Sequence, residues 1–186
     1  MRLIVAMTGA SGAIYGISLL EELQKQHIET HLVVSKWAET TITTETEYNL
    51  AALRDLATKV HENNDLTASI ASGSFLTDGM VVVPCSMKTL AGIAHGYSED
   101  LITRAADVIL KERRRLILVA RETPLSPIHL ENMLKLSRLG VTIMPPMPAF
   151  YSRPQSVADI VGQTVERILD QLHLETPQLY RWRENS

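Results

Sequence analysis

The sequence lacks several features that would point to particular classes of protein. It has one cysteine, Cys85, which excludes an internal disulfide and any metal site built from several cysteines. No apolar run approaches the roughly 20 residues needed to span a bilayer. The 18 basic and 21 acidic side chains nearly balance, so neither a nucleic-acid-binding stripe nor a polybasic membrane patch is expected. Since the sequence also opens on strand-like residues rather than on a signal peptide, we expect a cytoplasmic protein that contacts no nucleic acid and no membrane.

Internal repeats and low-complexity segments are also absent, and 186 residues fit one domain. Short apolar segments alternate with helical patterns. Strands are predicted at 2–7, 29–34, 79–84, 116–120 and 141–144, and helices at 12–26, 37–45, 50–58, 86–95, 99–114, 127–138 and 155–172. The strands are apolar throughout, which is typical of strands covered on both faces. The pattern predicts an α/β fold with a doubly wound, Rossmann- or flavodoxin-like parallel sheet and helices on both faces. Residues 60–75 are interpreted as a short edge strand and a loop.

A turn of small residues, Gly9 to Gly12, joins the first strand to the first helix. The start of a helix has free N–H groups and the positive end of its dipole, so such a turn favours an anion such as a phosphate. The turn has no P-loop lysine and lacks the G-x-G-x-x-G spacing of a dinucleotide site. The second strand ends in Ser35 and Lys36 rather than in the acid that holds a ribose. A phosphate is therefore favoured, with a tight strand-to-helix connection as the alternative.

Other polar residues follow the remaining predicted strands, at the edge of the sheet where doubly wound proteins bind ligands. Ser86 to Thr89 open a helix and form a second candidate anion site, with a capped helix and a solvated lysine as the alternative. Arg121 and Glu122 follow the next strand, and a proline-rich segment leading to Tyr151 follows the last. These ends of strands therefore offer hydroxyls, cations and an aromatic ring. Cys85 is predicted to be structural, since no histidine is near it in sequence.

Several short motifs occur in a characteristic order along residues 2 to about 172. They are Met7–Ala13, Val34–Ser35, Pro84–Ala91, Arg104–Val108, Lys111–Glu112, Arg121–Ser126, Ile128–Met133 and Met144–Tyr151. In order and spacing they resemble the UbiX family of flavin prenyltransferases, especially the branch once described as phenolic or aromatic acid decarboxylase subunits. Residues 46–75 match least, and the tail after His173 matches only loosely.

This resemblance implies a function. Members of the family bind flavin mononucleotide (FMN) at a subunit interface of a homo-oligomer, often a dodecamer. They join a dimethylallyl group, usually from dimethylallyl phosphate, to N5 and C6 of reduced FMN without a metal ion. The prenylated FMN passes to a UbiD-type decarboxylase. We expect a single flavin-binding domain over residues 1–186, in which 173–186 form a tail that is a candidate for contact with a neighbouring subunit.

The resemblance also implies roles for individual residues. The flavin site would be lined by Gly9, Ala10, Ser11, Ser35, Ser86, Met87, Lys88, Thr89 and Arg121. The prenyl phosphate would be bound by Tyr151, Arg167, Arg104 and Lys111. The catalytic groups would be Glu122, Ser11, Glu45 and Lys111. Cations around a leaving phosphate stabilise the charge that grows in the transition state, and an aromatic face can stabilise an allylic cation.

Two other functions stay open at this point. One is an FMN-dependent decarboxylase of the related homo-oligomeric flavoprotein group, whose members use an active-site histidine that this sequence does not obviously supply. The other is a non-catalytic flavin-binding subunit of an aromatic acid decarboxylase. Prenylation of reduced FMN would distinguish the transferase from both.

Overall fold

The fold is a single parallel sheet between two layers of helices, seen in a computed structural model that describes residues 1–176. The strands are β1 (Arg2–Met7), β2 (Glu29–Val34), β3 (Lys59–Glu62), β4 (Gly79–Cys85), β5 (Arg115–Ala120) and β6 (Thr142–Ile143). Their order across the sheet is β3-β2-β1-β4-β5-β6, and every pair is parallel. The direction of winding therefore reverses between β1 and β4, which creates a crevice at the carboxyl ends of these two strands.

Helices cover both faces of the sheet, as the apolar strands predict. They are α1 (Ala13–Lys25), α2 (Lys36–Glu45), α3 (Leu50–Arg54), α4 (Met87–His95), α5 (Leu101–Lys111), α6 (Pro127–Arg138) and α7 (Val157–Gln171). Side chains of α1, α2, α3 and α7 pack with Leu3, Val5 and Met7 on one face. Side chains of α4, α5 and α6 pack with Ile4 and Ala6 on the other. The predicted doubly wound α/β fold is confirmed, and no helix of residues 1–176 is long and apolar enough to cross a membrane.

Strand β3 is the main difference from the predicted elements. The helix predicted over 50–58 ends at Arg54, and Lys59 already begins the edge strand. This strand is short and polar, but His61 is buried and its Nε2 lies 2.8 Å from Nδ1 of buried His31 on β2. His31 Nε2 in turn lies 3.1 Å from the Glu29 carboxylate. The parallel pairing with β2 joins β3 to the sheet, and the contact between these two histidines, 30 residues apart in sequence, adds to it.

Helix α5 runs from the carboxyl edge of the sheet back towards its amino edge. Its first residue, Leu101, donates its backbone N–H to Asn63 O at 2.8 Å, directly after β3 ends. The helix therefore begins near the carboxyl edge of the sheet and ends at Lys111, close to the amino end of β5. It is shorter than the predicted 99–114, because Glu112 forms its C-cap and Arg113 turns the chain with a φ of 57°.

Candidate functional site

A cavity of about 540 Å³ lies at the crevice between β1 and β4; we call it the switch-point cavity. It is lined by residues that follow the carboxyl ends of β1, β2 and β4, among them Gly9, Ser35, Ser86, Lys88 and Thr89. Its position is the one at which doubly wound sheets bind their ligands.

Two helices begin at this cavity, each with a serine cap. Ser35 Oγ accepts the backbone N–H of Ala38 at 3.2 Å at the start of α2. Ser86 Oγ accepts the N–H of Thr89 at 3.3 Å at the start of α4, and it also donates to Thr89 Oγ1 at 3.1 Å. The remaining N–H groups, the hydroxyls and the nearby Lys88 ammonium suit an anion such as a phosphate monoester.

Buried Thr8 fixes the relative position of the two central loops. Its hydroxyl donates to Pro84 O at 2.8 Å and accepts the N–H of Ser86 at 2.8 Å. The end of β1 is thereby joined to the start of α4, so the cap of α4 is held next to the glycine turn. Thr8 is only 2% exposed, and this positioning role was not predicted from the sequence.

A second, smaller cavity of about 290 Å³ lies on the other side of Gly9; we call it the Glu45 cavity. It is lined by Gly9, Ser11, Trp37, Thr40, Thr41, Thr44 and Glu45. Gly9 and Trp37 line both cavities, so the two meet there. A Cβ at Gly9 would lie 2.4 Å from Trp37 Cβ, so only glycine allows α2 to begin this close to β1.

Glu45 occupies the start of α1, where the sequence led us to expect a ligand's phosphate. Its Oε2 accepts the N–H of Gly12 at 2.8 Å and that of Ala13 at 3.0 Å. Burial alone would raise the pKa of this carboxyl, but hydrogen bonds from Ser11, Gly12 and Ala13 and the charge of Arg121 together lower it. The anion at this helix is thus the protein's own carboxylate. The N-termini of α2 and α4 remain available to bind a ligand's phosphate instead.

The remaining residues of the predicted flavin site, Ala10, Met87 and Arg121, line neither cavity and follow the ends of β1, β4 and β5. The backbone N–H of Arg121 donates to Cys85 O at 3.1 Å, and the neighbouring Glu122 is exposed and accepts the N–H of Thr123 at 2.9 Å. Ala10 is in the turn after β1, and the partly buried Met87 side chain packs against the core at the start of α4. Cys85 itself is fully buried, and burial raises the pKa of its thiol, which agrees with a structural role.

The residues expected to bind the prenyl phosphate are not brought to either cavity within one chain. We call Arg104, Lys111, Tyr151 and Arg167 the outer residues. Arg104 Nη1 lies 2.9 Å from Asp107, Lys111 is paired with Glu112, and Arg167 Nη1 lies 2.5 Å from Asp170. Tyr151 is 53% exposed in a short 3-10 turn. Lys111 is also seven residues beyond Arg104 along α5, or about 10 Å further from the carboxyl edge.

The family relationship follows from comparison with known proteins. Residues 1–169 match the model of the Flavoprotein family. The chain is 62% identical over 183 residues to a probable UbiX-like flavin prenyltransferase from Streptomyces sp. (strain D7), covering 98% of this chain and 92% of that protein. The chain belongs to the UbiX-like flavin prenyltransferases.

Solved structures of such proteins have the same fold. A dodecameric FMN-dependent UbiX-like decarboxylase from Escherichia coli O157:H7 superposes with a TM-score of 0.97 at 59% identity, covering 98% of this chain and 100% of that one. AnUbiX, solved in complex with FMN and dimethylallyl pyrophosphate, also has a TM-score of 0.97, at 56% identity, covering 100% of this chain and 98% of that one. The resemblance inferred from the motifs is therefore confirmed, and the flavodoxin-like architecture with it.

Among the cavity residues not predicted from the sequence, Trp37 is the most prominent. The sequence places Ser35 and Lys36 at the end of β2, and Trp37 is the next residue, in the first turn of α2. Its position gave a signal, because a large aromatic residue in the first turn of a helix that follows a parallel strand lies near the edge of the sheet at which ligands bind. The tail predicted over 173–186 can be followed only to Thr176, since residues 177–186 lie outside the described part of the chain.

Proposed function

We propose that this chain is a flavin prenyltransferase that joins a dimethylallyl group to reduced FMN. The observation that carries the proposal is the switch-point cavity with its two serine-capped helices, found in a chain that belongs to the UbiX-like family. The similar AnUbiX has been solved with FMN and with dimethylallyl pyrophosphate, the two kinds of reactant that this function requires.

The groups around the switch-point cavity fit FMN. We assign its phosphate to the starts of α2 and α4, where Ser35, Ser86, Lys88 and Thr89 offer hydroxyls and a cation. The flavin ring would then extend past Gly9 towards Ser11, Glu45 and Arg121. FMN is the acceptor of the prenyl group, so the same site serves as binding site and as reaction site.

The outer residues fit the prenyl donor only if they reach the site from other copies of the chain. Each of the three cations lies beside a carboxylate on its own helix or next to its end, outside the switch-point cavity. A homo-oligomer can place Arg104 and Lys111 of one copy, or Tyr151 and Arg167 of another, at the cavity of a third. The dodecameric relative from E. coli O157:H7 supports such an assembly.

The transfer breaks the C–O bond of the donor, and the bonding electrons leave with the phosphate, so nearby cations lower the barrier. N5 of the flavin would bond to the released carbon and lose its proton. The C=C double bond of the dimethylallyl group would then take up a proton, and C6 would bond to the resulting tertiary carbon and lose its own proton. We assign to Glu122 the role of general acid, which donates a proton to the departing phosphate. We assign to Ser11 and Glu45 the relay of protons from the flavin, since both line the same cavity beside Gly9. The product would pass to a UbiD-type decarboxylase in the cytoplasm.

The decisive experiment uses the purified chain with reduced FMN and dimethylallyl phosphate under anaerobic conditions. We expect mass spectrometry to detect a flavin that is heavier by one prenyl unit. An unchanged flavin mass would exclude the transferase function. The same assay with dimethylallyl pyrophosphate compares the two donors.

A direct decarboxylase is the second candidate, because the name of the E. coli O157:H7 relative describes that activity. The geometry gives it less support: no histidine of residues 1–176 lines either cavity. His95 is instead paired with Asn132, and His129 caps α6. Release of carbon dioxide from a cinnamic or hydroxybenzoic acid by this chain alone would favour the decarboxylase.

A further inference from the structure

Trp37 is an exposed aromatic side chain at the centre of the proposed site. It is the second residue of α2, and 69% of it is accessible in the single chain. Apart from Gly9, it is the one residue of 1–176 that lines both the switch-point cavity and the Glu45 cavity. Cavities lined by aromatic side chains beside a few polar groups are typical of small-molecule sites, and the indole stands where two such cavities meet.

The position of the indole is well defined by its surroundings. Ser35 caps α2 two residues earlier, which sets the first turn of the helix. Trp37 Cβ then lies against Gly9, so closely that a methyl group on Gly9 would be 2.4 Å away. The base of the side chain is thus held by backbone packing while its ring is available to a ligand.

A flavin in this site must cross the junction of the two cavities. At one end of the site, the N-termini of α2 and α4 are available to its phosphate, beside Ser86 and Lys88. At the other end, beyond Gly9, lie Ser11 and Glu45, to which we assign the proton relay. Between these ends Gly9 offers only backbone, and Trp37 offers the flat apolar surface. Planar aromatic groups pack favourably in offset or edge-to-face arrangements.

We propose that the Trp37 indole forms one wall of the flavin site and holds the flavin ring next to Ser11 and Glu45. This inference rests on the proposed function, because it requires FMN in the cavity. Trp37 is a binding and positioning residue in this proposal and takes no part in bond making. It would bind the ring of FMN, whereas the serine-capped helices would bind its phosphate.

The test measures FMN affinity by calorimetry and the emission of bound FMN in Trp37→Leu and Trp37→Phe. An indole in contact with a flavin quenches flavin emission, so emission should rise several-fold in Trp37→Leu. The dissociation constant should rise about tenfold, and Trp37→Phe should lie between the two. Since Trp37 is exposed, both variants should keep the wild-type circular dichroism spectrum.

A second aromatic residue tests whether Trp37, rather than another ring, forms this wall. Tyr97→Leu removes another exposed aromatic side chain, which lines the switch-point cavity but not the Glu45 cavity. It should raise the emission of bound FMN less than Trp37→Leu does, because the flavin ring would lie at the junction of the two cavities. A larger increase in emission in Tyr97→Leu than in Trp37→Leu would overturn the proposal.

The remaining outcomes are also decisive. If the wild-type chain binds no FMN, both the proposed function and this inference fail. If it binds FMN but Trp37→Leu has wild-type affinity and emission, only the inference fails. If Trp37→Leu changes the molecular mass of the assembly and leaves both flavin readouts unchanged, Trp37 is a subunit contact and the inference is again wrong.

Discussion

The cavity region and the outer residues differ in what holds them. Around the cavities, hydrogen bonds link separate strands and helices: Thr8 joins the end of β1 to Ser86, and Glu45 on α2 accepts two N–H groups of α1. The cations among the outer residues are paired instead within one helix or with the residue that ends it. Arg104 is paired with Asp107, and Lys111 with Glu112.

This difference separates binding from transfer. A single chain assembles the groups that suit FMN, so FMN binding should depend mainly on the cavity region. The groups that suit the prenyl phosphate are exposed on other faces, so transfer should depend on both regions and on contact between copies. Substitutions in the two regions should therefore affect different measurements.

Lys111→Ala should have the largest effect, and it tests whether prenyl transfer can be lost while FMN binding is kept. If Lys111 stabilises the charge that develops on the leaving phosphate, as proposed, its removal should slow prenyl transfer by about 100-fold or more. FMN affinity should stay within about twofold, because Lys111 lies far from the switch-point cavity of its own chain. Transfer is measured by mass spectrometry of the flavin, and affinity by calorimetry.

The control for Lys111→Ala is Lys25→Ala, since Lys25 is also an exposed lysine at the end of a helix, 2.6 Å from Glu22. It should change neither transfer nor affinity. Coexpression of Lys111→Ala with a variant that cannot bind FMN should restore part of the activity in mixed assemblies. Complete inactivity of such mixtures would argue that each copy uses its own Lys111.

Glu122→Gln tests whether an exposed carboxylate in the loop after β5 acts in transfer alone. If Glu122 protonates the leaving phosphate, its amide variant should slow transfer by roughly 100-fold, the range typical of general acid catalysis. The variant should bind FMN normally, because within residues 1–176 the Glu122 carboxylate accepts a hydrogen bond only from the N–H of Thr123. A loss of FMN binding in calorimetry would mean that Glu122 belongs to the flavin site instead.

Gly9→Ala tests the tight contact between β1 and α2. The added methyl group would lie 2.4 Å from Trp37 Cβ, so the start of α2 must shift and carry Ser35 with it. Overpacking of this kind costs about 1–3 kcal/mol, and we expect the dissociation constant of FMN to rise about tenfold.

Gly162→Ala on α7 provides the control for Gly9→Ala, because nothing in residues 1–176 outside its own helix backbone and its neighbours in the chain lies within 4 Å of the added Cβ. A helical glycine replaced by alanine should stabilise the chain by up to about 1 kcal/mol and leave FMN affinity unchanged. Equal effects of the two variants on FMN affinity would contradict a specific role of the Gly9 contact.

The cavity region also illustrates how far sequence reasoning reaches. Apolar strands and serine caps are local patterns, so the sheet and the starts of α2 and α4 could be predicted. The role of Glu45 as a cap of α1 could not, because the contact joins residues 33 apart in sequence. The start of β3 at Lys59 could not be predicted for the same reason, since this strand pairs with β2, which lies about 30 residues earlier in the sequence. The separation of Lys111 from the cavity follows from the direction of α5, which motif spacing alone does not reveal.

Glu45→Gln should have the smallest effect of these substitutions. It tests the hydrogen bonds within the cavity region. An amide carries no charge to interact with the start of α1, so we expect a loss of about 1 kcal/mol in the free energy of unfolding at pH 7. Urea denaturation of the two proteins measures this difference. Glu22→Gln, which removes half of an exposed ion pair, should cost at most about 0.5 kcal/mol.

The pH dependence of this difference identifies the charge of Glu45 as its cause. The folded state lowers the pKa of Glu45 below its ordinary value of 4.5, so the folded chain binds fewer protons at this carboxyl than the unfolded chain does. Its contribution to stability is therefore present above about pH 4.5 and is lost as the pH falls through the lowered pKa. The difference between wild type and Glu45→Gln should shrink on acidification from pH 7 towards about pH 3. A difference that stays constant over this range would mean that shape, and not charge, explains why a glutamate caps α1.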